Sequence, residues 1–319
     1  MTRLEWLHKI NMIATSVPPR RRGPPPRGAW SALWLLAVVF SLGATHPTWA
    51  QSPVWALRGA HNTVYLAESI HLLKPGAATL PPAFEHAWKD SSVLVMELDL
   101  ARLEPTAIRD WVQQHGRLDG ATTLEQVLGR EDYAHVLAEA VHLGLPPTQM
   151  AGLKPWLVAL MFTDIGYERL GYAPNSGVEQ QLLARNRGAA SPHQTAGLET
   201  LDQELGQLDQ LPLEDQARFL QQSLADLKDT GQDTDKLLRA WRRGDNAALA
   251  KLLSEEYTRF PALYDALVTT RNQLWLPQIR RFLQDDHNYL VVVGALHVVG
   301  RGGLLELLKA DGVEVKPVK

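Results

Sequence analysis

The 319-residue chain contains no cysteine. Thiolate nucleophiles, thiolate metal ligands and disulfides are therefore excluded, so stability must come from a packed core and any metal must be held by nitrogen and oxygen. There is no phosphate loop, no GxGxxG fingerprint and no GxSxG elbow, which removes the sequence grounds for dinucleotide binding and for serine-hydrolase chemistry. After residue 50 no apolar run reaches the ~20 residues that a membrane span takes. A basic excess is missing as well. Residues 1–50 hold six Lys+Arg and one acidic side chain, which leaves 26 Lys+Arg against 34 Asp+Glu in the remainder, a balance of −8. No nucleic-acid partner is expected of such a chain.

What is present begins with a targeting segment. Arg20, Arg21, Arg22 and Arg27 precede an apolar run over residues 29–44, and Thr48-Trp49-Ala50 follows it. Basic, apolar and small-residue segments in that order make a secretory signal with cleavage after Ala50. The extension before Arg20 is long for a signal, so Met12 is a second candidate start. An uncleaved inner-membrane anchor is the alternative. A periplasmic or secreted mature chain is expected, with residues 51–319 as one domain.

Two stretches of that domain resemble each other. Thr63-Val64-Tyr65-Leu66-Ala67 runs into Glu68-Ser69-Ile70-His71, and Tyr289-Leu290-Val291-Val292-Val293 runs into Gly294-Ala295-Leu296-His297. Each is an apolar, partly β-branched run that ends at a turn carrying a histidine, the pattern of a buried parallel strand. A loop, a short helix and a further β-like run follow in both places (residues 93–98 and 313–318). The expected fold is α/β (α+β). A mixed central sheet is built from two pseudo-repeated β-loop-α-β units, residues 51–101 and 285–319, with residues 102–284 as a mainly helical insertion or cap. Gly59-Ala60-His61-Asn62 predicts a hairpin turn, and Thr195-Ala196-Gly197-Leu198 a short extra strand. Helices are expected over 213–227 and 234–257, with breaks near Gly231 and at Arg243-Gly244-Asp245. A last helix over about 261–284 feeds the second histidine strand. Trp156, Trp241 and Trp275 are read as core.

Open α/β sheets bind ligands where parallel strands end, so His71 and His297 are the first candidates for a shared site. Imidazole both ligates transition metals and moves protons near neutral pH. Glu97 ends the run over 93–96, where a charge needs solvent, a partner or a metal; Asp99 shares its face if the strand persists. Glu199 has a similar setting, and Thr200 beside it reads as a helix cap. Arg271, next to Asn272, is placed to clamp a carboxylate or to position a glutamate by bidentate bonding. His135, Glu139 and His142 share one helical face, yet they do not form the HExxH pattern and no strand end is near them in sequence.

Jointly these segments resemble the TraB/GumN family, whose animal relatives include the Tiki proteases. The resemblance spans roughly residues 53–318. The intact GxxH motif is Gly294-Ala295-Leu296-His297, Glu97 lies in VMELDL, and GLET stands at 197–200. Gly177-Val178-Glu179, residues 241–245, and Arg271-Asn272 with Trp275 match further family signatures. The first GxxH motif departs from the pattern, because Glu68 stands where the family has glycine. The resemblance implies a metal-dependent, peptidase-like hydrolase. His71, His297, Glu97 and Glu199 would hold a divalent metal, either manganese, cobalt or zinc. The glutamate not bound to metal would act as general base, and Arg271 would stabilise an oxyanion or bind a substrate carboxylate. Gly294, Asn272 and Glu68 are expected beside the substrate, a peptide or small-molecule ligand. Two alternatives stand beside the hydrolase. One is a catalytically silent protein that binds a peptide or small ligand, if Glu68 blocks the site. The other is an accessory factor in envelope polysaccharide production, suggested by the family name alone.

Overall fold

The computed structural model describes residues 52–76, 79–227, 230–257 and 261–319; the signal expected at residues 1–50 lies outside them. Strands β1 (Val54–Arg58) and β2 (Thr63–Ser69) form an antiparallel hairpin across the 59–62 turn. Helix α1 (Pro82–Asp90), with proline in its first turn, leads to β3 (Val93–Met96). A long helical stretch follows. It comprises α2 (Ala107–His115), α3 (Leu124–Leu128), α4 (Arg130–Leu143), α5 (Pro155–Arg169) and α6 (Val178–Arg187). After β4 (Gln194–Gly197) come α7 (Leu201–Asp209), α8 (Leu213–Asp226), α9 (Thr230–Arg243), α10 (Asn246–Tyr257) and α11 (Pro261–Tyr264). Then α12 (Thr270–Phe282) enters β5 (Tyr289–Gly294), and α13 (Ala295–Val298) and α14 (Leu304–Ala310) precede β6 (Val315–Pro317).

The six strands make one mixed sheet in the order β4-β3-β5-β2-β1-β6. Neighbours from β4 to β2 are parallel, and β1 runs against both β2 and β6. The two histidine strands are central neighbours, with Ser69 opposite Gly294 and Glu68 opposite Val293. Every residue of β5 is buried, as its unbroken apolar run predicts for a strand covered on both faces. The carboxyl ends of β2, β5, β3 and β4 consequently open on one edge of the sheet.

Two apolar cores result. One surrounds the sheet and contains Trp241 and Trp275; the other lies within the cap around α5, with Trp156 and Phe162 fully buried. Leu72 and Leu296, the residues that follow His71 and precede His297, pack against both cores. The two motifs therefore lie on the seam between sheet and cap.

Several boundaries differ from the sequence expectation. Gly231 lies inside α9 rather than at a break, whereas the break at 243–245 separates α9 from α10. The single helix expected over 261–284 is interrupted by a π turn, Asp265–Thr269, before α12. Such π turns accommodate one extra residue per turn and re-aim the side chains after them.

Candidate functional site

Each strand end delivers one polar side chain to the same edge. His71 follows β2, Glu97 follows β3, Glu199 follows β4, and His297 sits in the short helix after β5. Nε2 of His71 and Nε2 of His297 each stand 3.9 Å from Glu97 Oε1. Both rings are held from behind. His71 Nδ1 is 2.8 Å from Glu179 Oε1, which also accepts from Ser69 Oγ at 2.5 Å. His297 Nδ1 is 2.8 Å from Asn272 Oδ1, and Asn272 Nδ2 donates to Gly302 O at 2.9 Å and to His297 O at 3.2 Å. With Nδ1–H donated to an oxygen, each imidazole keeps a lone pair on Nε2; that of His297 accepts from Arg271 Nη1 at 3.2 Å, and both Nε2 atoms lie on the Glu97 side of their rings.

Two glycines make this approach feasible. A Cβ on Gly294 would come 3.1 Å from His71 Nε2, 3.3 Å from Glu97 Oε1 and 3.6 Å from His297 Cδ2. The space between His71 Nε2, Glu97 Oε1 and the edge of the His297 ring is thus left free by the missing side chain. A Cβ on Gly177 would lie 2.2 Å from His71 O, so glycine there lets α6 seat Glu179, in its first turn, behind His71.

Arg271, in the first turn of α12, joins the acidic groups. Its Nη2 donates to Glu97 Oε2 at 2.6 Å, its Nε reaches Glu199 Oε1 and Oε2 at 3.0 and 3.1 Å, and Nη2 also bonds Glu199 Oε1. Nη1 donates to Leu267 O and stands 3.2 Å from His297 Nε2. Trp275 Nε1 donates to Glu199 Oε2 at 3.1 Å, while the indole lies 4.4 Å from the His297 ring, centre to centre. Burial alone would push the Glu97 carboxyl up, but the charge of Arg271, with the neighbouring His297 and His71 when protonated and the Gly294 N–H, holds it well below the usual range. Glu199 goes the other way: burial outweighs Arg271 and, with Glu204 and Glu97 nearby, pushes it up to about 7. Glu179 is held below its ordinary value despite burial, by His71 and then Ser69.

A cleft enclosing about 710 Å³ of non-atom space, part of it open to solvent, lies in front of these groups; His71, Glu97, Glu179, Glu204 and Arg271 form its polar side. Among the described residues, the carboxylates of Glu97, Glu199 and Glu204 lie within 4.8 Å of one another. Arg271 reaches all three, with Glu204 Oε1 at 3.9 Å from Nη2, so a guanidinium already balances that cluster.

The six polar residues expected at the centre (His71, His297, Glu97, Glu199, Arg271 and Asn272), together with Gly294, thus come together. Glu199 differs in its availability, because Arg271 and Trp275 engage both its oxygens. Arg271 is a positioning residue for carboxylates rather than a free cation. Glu68 does not stand beside His71: its carboxyl is buried on the other face of β2, where Trp55 Nε1 donates to Oε1 at 3.3 Å. Asp99 lies beyond the end of β3, accepting from Thr195 Oγ1 and Ala101 N. Thr200 caps α7 in a capping box with Gln203. His135 and His142 are exposed on α4. Glu179 and Ser69 were not assigned to the site from sequence. The Gly177-Val178-Glu179 element was the available signal, but its partner, His71, lies over a hundred residues earlier in the chain and only the fold reveals it.

A model of the TraB/PrgY/gumN family matches residues 53–317. Two proteins described as uncharacterized protein YbaP, from Shigella flexneri and from Escherichia coli (strain K12), are each 23% identical over 269 residues, covering 84% of this chain and 96% of theirs. No solved structure matches the chain.

Proposed function

Because the chain belongs to the TraB/PrgY/gumN family, we propose that it is an exported, metal-dependent hydrolase acting on a peptide or a related amide. One observation carries this reading: two imidazoles from neighbouring parallel strands both turn Nε2 towards Glu97 Oε1, each held through Nδ1 by an oxygen of Glu179 or Asn272. Metal-bound histidines are held in this way, with the second ring nitrogen donating to a carboxylate or amide oxygen. Two neutral nitrogens and one carboxylate oxygen, with no sulfur, suit manganese, cobalt or zinc. The bare Cα of Gly294 leaves room among those donors.

His71, His297 and Glu97 would hold a divalent cation, which would supply Lewis-acid polarisation and a water acidic enough to ionise near neutral pH. The remaining work falls to the chain. Glu179 and Asn272 fix the two tautomers, and Arg271 keeps Glu97 ionised. Glu179 lines the cleft, but its Oε2 is buried, so its role is to hold His71 through Nδ1 rather than to take a proton from the nucleophile. The general-base role expected at Glu97 or Glu199 is not open to Glu199 in this arrangement, because both its oxygens are engaged. The silent-binder alternative was motivated by Glu68 beside His71, and the carboxyl lies on the other face of β2.

Incubation of a defined pool of capped peptides with the chain from Gln51 onward and manganese, followed by mass spectrometry, tests the activity. Amide cleavage that disappears with chelator and falls about 10- to 100-fold in Glu179→Gln is expected; cleavage indifferent to both contradicts the reading. No described helix is long and apolar enough to cross a membrane, and the exported chain is expected to begin at Gln51. An amino terminus at Met1 or Met12 on the cell-envelope form would contradict cleavage of the signal.

A further inference from the structure

The cleft has a second side that the histidines and carboxylates do not account for. Below, it is formed by Met96, Leu98 and Leu100, which end β3 and follow it. Above, it is formed by Ile108 of α2, Leu160 of α5, Leu205 and Leu208 of α7, and Leu267 of the π turn. The lower group belongs with the sheet core and the upper group with the cap core, so the cleft is the seam between them. Apart from the five ionisable residues already named, every side chain lining it is aliphatic or methionine. No side chain on that side offers a hydrogen bond, and a polar side chain entering there would lose water without replacement from them.

The charge balance points the same way. Glu97, Glu179 and Glu204 line the cleft, and the one cation among the lining residues, Arg271, already bonds Glu97 and Glu199. In the metal-free chain, a carboxylate entering this space meets an excess of negative charge and a guanidinium whose donors are engaged. An aliphatic group meets a dry wall and no penalty.

We infer that the seam is a substrate subsite for a peptide segment carrying an aliphatic residue of leucine, isoleucine or methionine size beside the amide presented to His71 and His297, and that it rejects acidic side chains and free carboxylates. This specificity rests on the hydrolase reading only for which bond is attacked.

The test uses the chain from Gln51 onward, metal-free, and capped pentapeptides Ac-Ala-Ala-X-Ala-Ala-NH2 with X = Leu, Met, Asp or Glu. Binding is measured by saturation-transfer NMR competition, and the same peptides are then assayed for cleavage with manganese. Leu and Met peptides are expected to bind at least about tenfold more tightly than Asp and Glu peptides. Leu100 is only half-buried and follows β3 in a loop, so Leu100→Arg is expected to fold and to narrow or reverse that preference; Leu100→Ser, a smaller change, is expected to weaken Leu-peptide binding without favouring Asp. Equal binding of all four peptides, tighter binding of the acidic ones, or no binding of any overturns the inference. Leu-selective binding without cleavage upholds the subsite and contradicts the hydrolase. Cleavage regardless of X contradicts the subsite and leaves the hydrolase standing.

Discussion

The Glu68 carboxyl is fully buried, takes one hydrogen bond from Trp55 Nε1 and leaves Oε2 with none, so burial pushes its pKa up to about 8. Between its ordinary value of 4.5 and about 8 the folded state holds a proton that the unfolded chain releases. Stability contributed by this group is complete below that window and is lost as pH rises through it. Asp164 in α5, buried with neither oxygen bonded and also pushed up to about 8, adds a parallel loss. The difference between wild type and Glu68→Gln isolates the first group. The variant is expected to gain in melting temperature over wild type as pH rises from about 5 to 8; a constant gap across those pH values contradicts the burial argument. The expectation that Glu68 stands beside His71 rested on aligning Glu68 with Gly294. In the sheet Gly294 lies opposite Ser69, and a slip of one residue moves a side chain to the other face. Alternation along β2 does put Ser69 on the Glu179 side. His71, His297, Glu97 and Arg271 were legible because chemistry concentrates at strand ends and beside them; Glu179 was not, since its role depends on a contact between distant segments.

At the scale of elements, strands and turns were readable from β-branched runs and small residues, and the short β4 from a single Thr-Ala-Gly-Leu stretch. The π turn was not readable, because a single phase shift within residues 261–282 is not distinguishable from ordinary scatter in helical spacing. Its consequence is local and large. It places Leu267 O on Arg271 Nη1 and Leu267 itself on the cleft wall, while Arg271 reaches Glu97 and Glu199. Deleting Ala266 would return the segment to α-helical spacing and rotate one side of the turn against the other by about 100°. Helix content by circular dichroism is expected to persist while metal affinity falls by at least about tenfold, because the carboxylates lose their common partner. Unchanged affinity in that deletion would show that the π turn does not position the site.

For the whole molecule, the governing feature is that two separately packed cores meet at the two histidine motifs, with Leu72 and Leu296 shared between them. The sheet half was predictable from the internal resemblance of β2 and β5. The cap was predictable as helical, but its packing was not, because amphipathic helices give their apolar face and not its partner. The central claim is that His71 and His297, delivered by the two halves of that resemblance, serve one metal. The measurement that tests it most directly is metal content and affinity of the chain from Gln51 onward, beside His71→Ala and His297→Ala. One equivalent of a divalent ion in the parent, lost from both variants with their circular dichroism unchanged, is the expected result. A parent that binds no manganese, cobalt or zinc, or variants that bind as it does, would contradict the account.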